Sequence, residues 1–253
     1  MSSFIIQPEV EIFQLQIYLI IKKVLYNCIM EGEENMKIKK ILLVLLLSLT
    51  LCACVDKEME LPKPEVSEGV RGDLGIDANV NESTIDKYLD REDAVYRDMR
   101  MLVDPGNYAA IGGDAYLSGF VKGFEVVPLP YLVNVTGLPE EVGSTYEGKT
   151  LFTLKDGKYI ANYEESMEVL EYLFPKDKTI FLMCGGGGYA GMTKAMLVEL
   201  GWDETKIYNT GGYWYYKGEN NVIVKNDSHK KVTYDFWKVA YHEIDFSQLH
   251  EVK

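Results

Sequence analysis

One segment of this chain leaves little freedom in how it folds. Thr179-Ile-Phe-Leu-Met183 is apolar except at its edge, Cys184 follows, four glycines run from Gly185 to Gly188, and a helical pattern spans Gly191 to Leu200 before Gly201. So short an apolar run reads as a strand buried on both faces, the habit of parallel sheets. Gly201 is a good left-handed stop for the helix. Strand, glycine turn and helix in that order place Cys184 at the carboxyl end of a central strand, where open α/β sheets bind ligands.

The flanking sequence repeats the alternation. Thr84–Arg91 reads as a short capped helix, Ala94-Val95-Tyr96 opens a strand, and Val126-Val127 forms another before Pro128. Leu151–Leu154 and Tyr159–Tyr163 flank Asp156-Gly157, a hairpin pattern. Met167, Leu170 and Leu173-Phe174 keep helical spacing until Pro175, and Lys206–Asn209 reads as a further strand. Alternating strands and helices imply an α/β fold with a parallel sheet. The hairpin lies in an apparent insertion over 134–165, read as surface decoration rather than a lid.

The glycine loop carries the chemistry. Glycines permit positive φ, so successive N–H groups can turn inward as an anion nest. The helix start adds about half a positive charge. Both favour thiolate over thiol at Cys184. Competing readings are weaker. Gly186, Gly188 and Gly191 formally match a dinucleotide fingerprint, which is unspecific alone. A phosphate loop needs Gly-Lys-Ser/Thr, which is absent. Cys-led phosphatases need an Arg at the loop's end, where Tyr189 and Ala190 stand. A buried structural Cys at a tight turn is the bland alternative.

The N-terminal part reads as an export signal. Met36-Lys-Ile-Lys-Lys40 is followed by the apolar run Ile41–Leu51 and then Cys52-Ala53-Cys54. That run is shorter than the ~20 residues of a membrane span, and it has the layout of a secretory signal. Leu51-Cys52-Ala53-Cys54 resembles the lipobox of bacterial lipoproteins, which implies cleavage before Cys54 and lipidation of its thiol. Residues 1–53 are therefore expected to be a signal segment, with Met36 the true start and 1–35 an over-extension. Residues 54–83, with Pro62, Pro64, Gly69, Gly72 and Gly75, are expected to be a lipid-anchored flexible spacer. A domain over 84–220 and an extension over 221–253 complete the expected layout.

Charge and cysteine count narrow the function. The first 53 residues carry five Lys and five Glu, so the remainder keeps the whole net charge of −13. An acidic body excludes the counterion-releasing surface that nucleic-acid binding needs. It leaves the lipid as the expected membrane contact. Of the four cysteines, Cys28 and Cys52 would leave with the signal and Cys54 would carry lipid. Cys184 is then a single thiol, which excludes a disulfide framework. His229, His242 and His250 lack metal-ligand spacing, so neither a metal nor a cofactor is expected.

The Cys184 loop resembles the active-site loop of the rhodanese family. Leu197 and Gly201 fall where that family has a core Leu and a helix-ending Gly. Gly211-Gly212 followed by Trp214 resembles its Gly-Gly…Trp signature, and Asp98-Met-Arg100 after a strand resembles its Asp-x-Arg. Gly119-Phe-Val-Lys-Gly123…Pro128 is similar to its Gly-His-Ile-x-Gly…Pro segment. The resemblance covers about 84–217. It implies a five-stranded parallel sheet with helices on both faces. It also implies sulfur transfer from a small donor to a thiophilic acceptor through a persulfide on Cys184, cradled by the amides of Gly185, Gly186, Gly187, Gly188, Tyr189 and Ala190. Asp98 and Arg100 are expected to pair as structural support. Tyr189 departs from the family's Arg and Phe120 from its His, so a catalytically weak or inactive module of the same fold, binding a small anion or a protein partner, is the alternative. A monomer at the outer side of the cell membrane completes the expectation.

Overall fold

The computed structural model describes residues 59–135, 138, 146–226 and 233–253. All belong to one compact unit, Met59–Lys253. The signal segment and Cys54 lie outside the described residues. Among the described residues, no helix is long and apolar enough to cross a membrane.

The architecture is mixed α/β around a parallel sheet. In chain order the strands are β1 (Ala94–Asp98), β2 (Gly119–Val121), β3 (Glu125–Val126), β4 (Phe152–Lys155), β5 (Lys158–Ala161), β6 (Thr179–Cys184), β7 (Ile207–Gly212) and β8 (Asn221–Ile223). Short strands β9 (Lys225–Asn226) and β10 (Thr233–Tyr234) follow. The α-helices are α1 (Leu129–Leu132), α2 (Ser166–Leu173) and α3 (Gly188–Glu199). The parallel sheet has the order β3-β1-β6-β7. Its centre is the β1–β6 pair, in register from Ala94 opposite Thr179 to Asp98 opposite Met183.

Period-two alternation along β6 divides the core. Ile180, Leu182 and Cys184 face a cluster that includes Leu170 and Leu173 of α2 and Met196 and Leu197 of α3. Phe181 and Met183 face the opposite cluster, with Tyr96, Phe124 and Tyr208. There Phe181 stacks between Tyr96 and Tyr208, with ring centroids 5.1 and 5.2 Å away.

Four strands, rather than five, form the parallel sheet among the described residues. The Gly119-Phe-Val segment pairs antiparallel with β8 in a separate ladder instead of joining it. Both longer α-helices pack on one face. A 3-10 turn at Ile85–Tyr88 and the segments carrying Val80 and Leu117 close the other.

The expected spacer also ends early. Already at Met59 and Pro62 the backbone accepts from Arg91 and Tyr208 of the body, and Asp77 organises the stretch that follows. Its carboxylate accepts from the N–H groups of Glu65, Asn79 and Val80 at 2.7–2.9 Å. Ile76 and Val80 are fully buried. The glycines that suggested flexibility instead shape tight turns, such as the left-handed Gly75 that ends the turn Gly72–Leu74. The hairpin β4–β5 turns at Asp156 (φ 51°) and Gly157 (φ 74°). It is more than decoration, because Leu151, Phe152 and Tyr163 at its base are core residues. The extension after 220 is likewise part of the fold. Val224 and Val239 are buried, and Tyr241 forms a parallel bridge to Val126.

If residues 59–83 belong to the folded unit, Ile76→Ala should destabilise the protein by about 2–5 kcal/mol in urea unfolding. A spacer residue would leave the midpoint unchanged.

Candidate functional site

The site begins where β6 hands the chain to α3. Gly187 takes φ 106°, ψ −15° as the residue before the helix. An L side chain is strained at that φ, and a Cβ there would also lie 2.7 Å from Cδ1 of Ile76. Gly185 is required for a different reason. Its Cβ would meet the Trp214 ring at 2.5 Å. Gly186 and Gly188 have room, with nearest neighbours at 3.5 and 3.9 Å. Two of the four consecutive glycines are thus fixed by geometry, and two leave the floor beside the thiol open. The helix starts three residues earlier than the sequence pattern predicts. The loop is therefore one sharp turn, and Gly188, Tyr189 and Ala190 form the first turn of α3.

This turn wraps the sulfur. The Gly187 N–H donates to Cys184 Sγ at 3.0 Å. The amides of Ala190, Gly187 and Tyr189 all favour the thiolate, but burial outweighs them and pushes the Cys184 thiol up. The buried Asp98 carboxylate pushes the same way. The expectation that the loop favours thiolate is thus corrected. Helix dipole and amides are present, yet the residue is only 3% exposed, and desolvation of an anion dominates there.

Asp98 and Arg100 meet directly beside the loop. Arg100 Nε lies 3.0 and 3.2 Å from the two Asp98 oxygens, and Nη2 donates to Oδ2 at 2.5 Å and to the Gly119 carbonyl at 2.7 Å. The guanidinium also lies over the Tyr213 ring, 4.4 Å from its centroid. Its remaining nitrogen, Nη1, is buried with no hydrogen-bond partner among the described residues. Trp214 Nε1 is in the same condition.

Arg100, Trp214 and Cys184 all line one cavity of about 180 Å³. Its walls include Met101 and Tyr108, and the exposed side chains of Leu74, Ile111 and Tyr116 stand at its edge. Tyr189 lines it as well and donates its hydroxyl to Asp104 Oδ2 at 2.9 Å. Burial pushes the Asp104 carboxyl up, opposed by donors from Gly106, Tyr189 and Tyr108. The position of the family's Arg is thus filled by a neutral phenol tied to a carboxyl group.

Sequence reasoning placed Cys184, the loop, Asp98 and Arg100 near one another but gave Arg100 only a structural part. It missed Asp104 and Tyr108, which belong to no motif. It also missed Leu74, which lies in the presumed spacer. The aromatic run Tyr213–Tyr216 divides. Trp214 faces the cavity, whereas Tyr215 is exposed beneath Arg71. His242 and His250 pair with Glu125 (2.8 Å) and Glu165 (2.5 Å), and His229 lies outside the described residues. Among the described residues no cluster of His, Cys, Asp or Glu could hold a metal.

Comparison with protein-family models gives no match, and comparisons with curated proteins and with solved structures give no significant match. The chemistry therefore rests on the site itself. A cysteine sulfur lies at a helix N-terminus, and the side chains of Arg100 and Trp214 line the same small, largely apolar cavity.

The raised Cys184 pKa has a definite sign. The neutral thiol is favoured in the fold, so its contribution to stability is present below the unfolded thiol's pKa and is lost as pH rises through the folded value. Alkylation of the folded chain at Cys184 by iodoacetamide should follow a pH profile whose midpoint lies above the ordinary value of 9.0. Unfolding should return it to that value. A folded-state midpoint below 9.0 would mean that the amides outweigh burial.

Proposed function

We propose that this chain is a rhodanese-like sulfurtransferase that carries sulfane sulfur as a Cys184 persulfide at the cell envelope, anchored there through Cys54. The observation that carries the reading is the position of Cys184 Sγ. It sits at the start of α3, within reach of the Gly187 N–H, and opens on a cavity lined by Arg100 and Trp214. The rhodanese-like fold is part of the proposal. Its support is the parallel β1–β6–β7 core, the Cys loop between β6 and α3, and the Asp98–Arg100 pair beside that loop.

In this reading the thiol loses its proton to solvent. The thiolate then attacks the terminal sulfur of a donor, and the donor's S–S bond breaks with its electron pair leaving on the remainder. The outer persulfide sulfur projects into the cavity beside the amides of the α3 first turn. A thiophilic acceptor attacks that outer sulfur and releases the Cys184 thiolate. Donor supplies and acceptor removes the same sulfur, so no external oxidant is required. Because the thiol starts protonated, the first step should accelerate as pH rises.

A second reading has its own support. The burial that raises the Cys184 pKa also suits a non-catalytic module of the same fold that binds a small anion or a partner protein. Turnover separates the two. With an organic or inorganic sulfane-sulfur donor and cyanide as acceptor, the full chain should form thiocyanate faster at pH 9 than at pH 7, and Cys184→Ser should fall to background. Background rates from a folded wild-type protein with every donor would leave the binding module as the reading. The anchor is tested separately. In a lipoprotein-processing bacterial host, Cys54→Ser should abolish lipidation and release the protein from the membrane fraction. Unchanged membrane retention would refute lipid anchoring through that residue.

A further inference from the structure

We propose that residues 240–252 form a strap around the β3 edge of the sheet, with one end fixed and the other a latch, His250 on Glu165, that loosens as pH rises. It operates whether or not Cys184 carries sulfur.

The fixed end completes the sheet. β3 is the last strand of the order on its side, and an uncovered edge leaves a row of unpaired N–H and C=O groups. The Val126 N–H donates to the Ala240 carbonyl at 2.7 Å, and the His242 N–H donates to the Val126 carbonyl at 2.8 Å. Tyr241 thus stands opposite Val126 in a parallel bridge. Side chains hold the same residues. Glu125 Oε2 accepts from Arg97 Nη1 at 2.7 Å, and His242 Nε2 lies 2.8 Å from that oxygen. Arg97 keeps its charge at any ordinary pH, so Glu125 has a cation whether or not His242 is protonated. The Tyr241 hydroxyl donates to that of Tyr131 at 3.0 Å.

Between its ends the strap crosses from one core cluster to the other. Tyr241 packs with the cluster of Phe124 and Val126. Ile244, Phe246 and Leu249 pack with the cluster of Leu170 and Leu173. The Phe246 ring lies 5.6 Å from that of the buried Tyr163. Asp245 steers the crossing by accepting from the Ser247 N–H at 3.1 Å, which caps the turn Phe246–Gln248.

The latch is a short antiparallel pairing just before α2. The Glu164 N–H donates to the His250 carbonyl at 2.9 Å and the Val252 N–H to the Asn162 carbonyl at 3.0 Å. Tyr163 stands opposite Glu251. Two backbone bonds near a chain end hold weakly by themselves. The Glu165 carboxylate reinforces them. Its Oε2 accepts from the His250 N–H at 3.0 Å, and its Oε1 lies 2.5 Å from the imidazole Nδ1. Glu165 occupies the cap position of α2 yet makes no capping bond to it, so its oxygens serve the strap instead. Among the described residues its ion-pair partner is His250, with no Arg in the part that Arg97 plays for Glu125. Glu164 also favours the imidazolium, and Glu251, next along the strap, lies 3.8 Å from Lys149.

The direction follows from the pair. The bond to Glu165 raises the His250 pKa above its ordinary 6.5, and the bond to His250 lowers the Glu165 pKa below its ordinary 4.5. The imidazolium's contribution is complete below 6.5 and is lost as pH rises through the folded value. The carboxylate's contribution is complete above 4.5 and is lost as pH falls through its own folded value. The latch is therefore tightest between those two values and loosens once His250 is neutral. A neutral ring can still donate one hydrogen bond, so the latch weakens by the loss of charge assistance. Loosening frees the backbone of Asn162 and Glu164 while the β3 edge stays covered.

Amide exchange of the full chain, followed by NMR from about pH 5.5 to 8.5 and corrected for the intrinsic rate at each pH, tests the latch. Protection at Glu164 and Val252 should fall about two- to fivefold as pH rises through the His250 midpoint, the scale of an exposed ion pair. Protection at Val126 and His242 should stay. The His250 midpoint is read from its ring resonances, assigned with His229→Gln and His242→Gln. It should lie above 6.5 and return toward that value in Glu165→Gln. In His250→Gln, which keeps a neutral donor, protection should no longer vary with pH. A midpoint at or below 6.5, a pH-independent wild type, or a fall that persists in His250→Gln would overturn the latch. An equal fall at Val126 and His242 would mean that the whole edge loosens and that neither end is fixed.

Discussion

The hydrogen bond from the Gly187 N–H to Cys184 Sγ is the contact around which the site is arranged. It exists because the chain reverses from a buried strand into a helix within three residues, and Gly187 alone in that turn takes a left-handed conformation. Elements from both ends of the domain then close on the turn. Ile76 packs against Gly187, the Leu74 carbonyl approaches Gly191, Gly212 lies against the Gly185 carbonyl, and Trp214 covers Gly185. Asn209 ties this arrangement together by donating to both the Leu74 and Gly187 carbonyls, at 2.9 and 3.0 Å. A change at any of these points moves the sulfur relative to its amides.

The same close packing sets the chemistry. Dipoles at the start of α3 favour a negative sulfur, while burial and the nearby Asp98 oppose it, and the opposition prevails. Arg100 does not reverse the balance, because its charge is engaged with Asp98 and its N–H groups are shared with Gly119. A thiol held neutral at ordinary pH resists adventitious oxidation.

Much of this was legible in the sequence because the signals were local. The apolar run of β6, the glycine turn, the helix ending at Gly201 and the Asp-Gly hairpin are each specified by neighbours within a few residues. What escaped was the work of distant residues. Composition marked 54–83 as spacer, yet Asp77 binds three backbone amides and sends Ile76 and Val80 into the body. A single Asp in a Pro- and Gly-rich stretch carries no periodic signal. Arg100 was legible as a partner of Asp98, but its unpaired Nη1 depends on where Trp214 and the Cys184 loop arrive in space. Asp104 and Tyr108 join the site through a contact with Tyr189 and Trp214 across long sequence separations. The thiol's ionisation was misjudged for the same reason, since dipoles can be read from a motif and burial cannot.

Mass spectrometry of the full chain after exposure to sulfane-sulfur donors tests the central claim most directly, with peptide mapping to separate Cys184 from the other cysteines and Cys184→Ser as control. The account predicts a gain of one sulfur on the Cys184 peptide, absent from the control and removed by cyanide. A folded protein whose Cys184 reacts with iodoacetamide but gains no sulfur from any donor would contradict it.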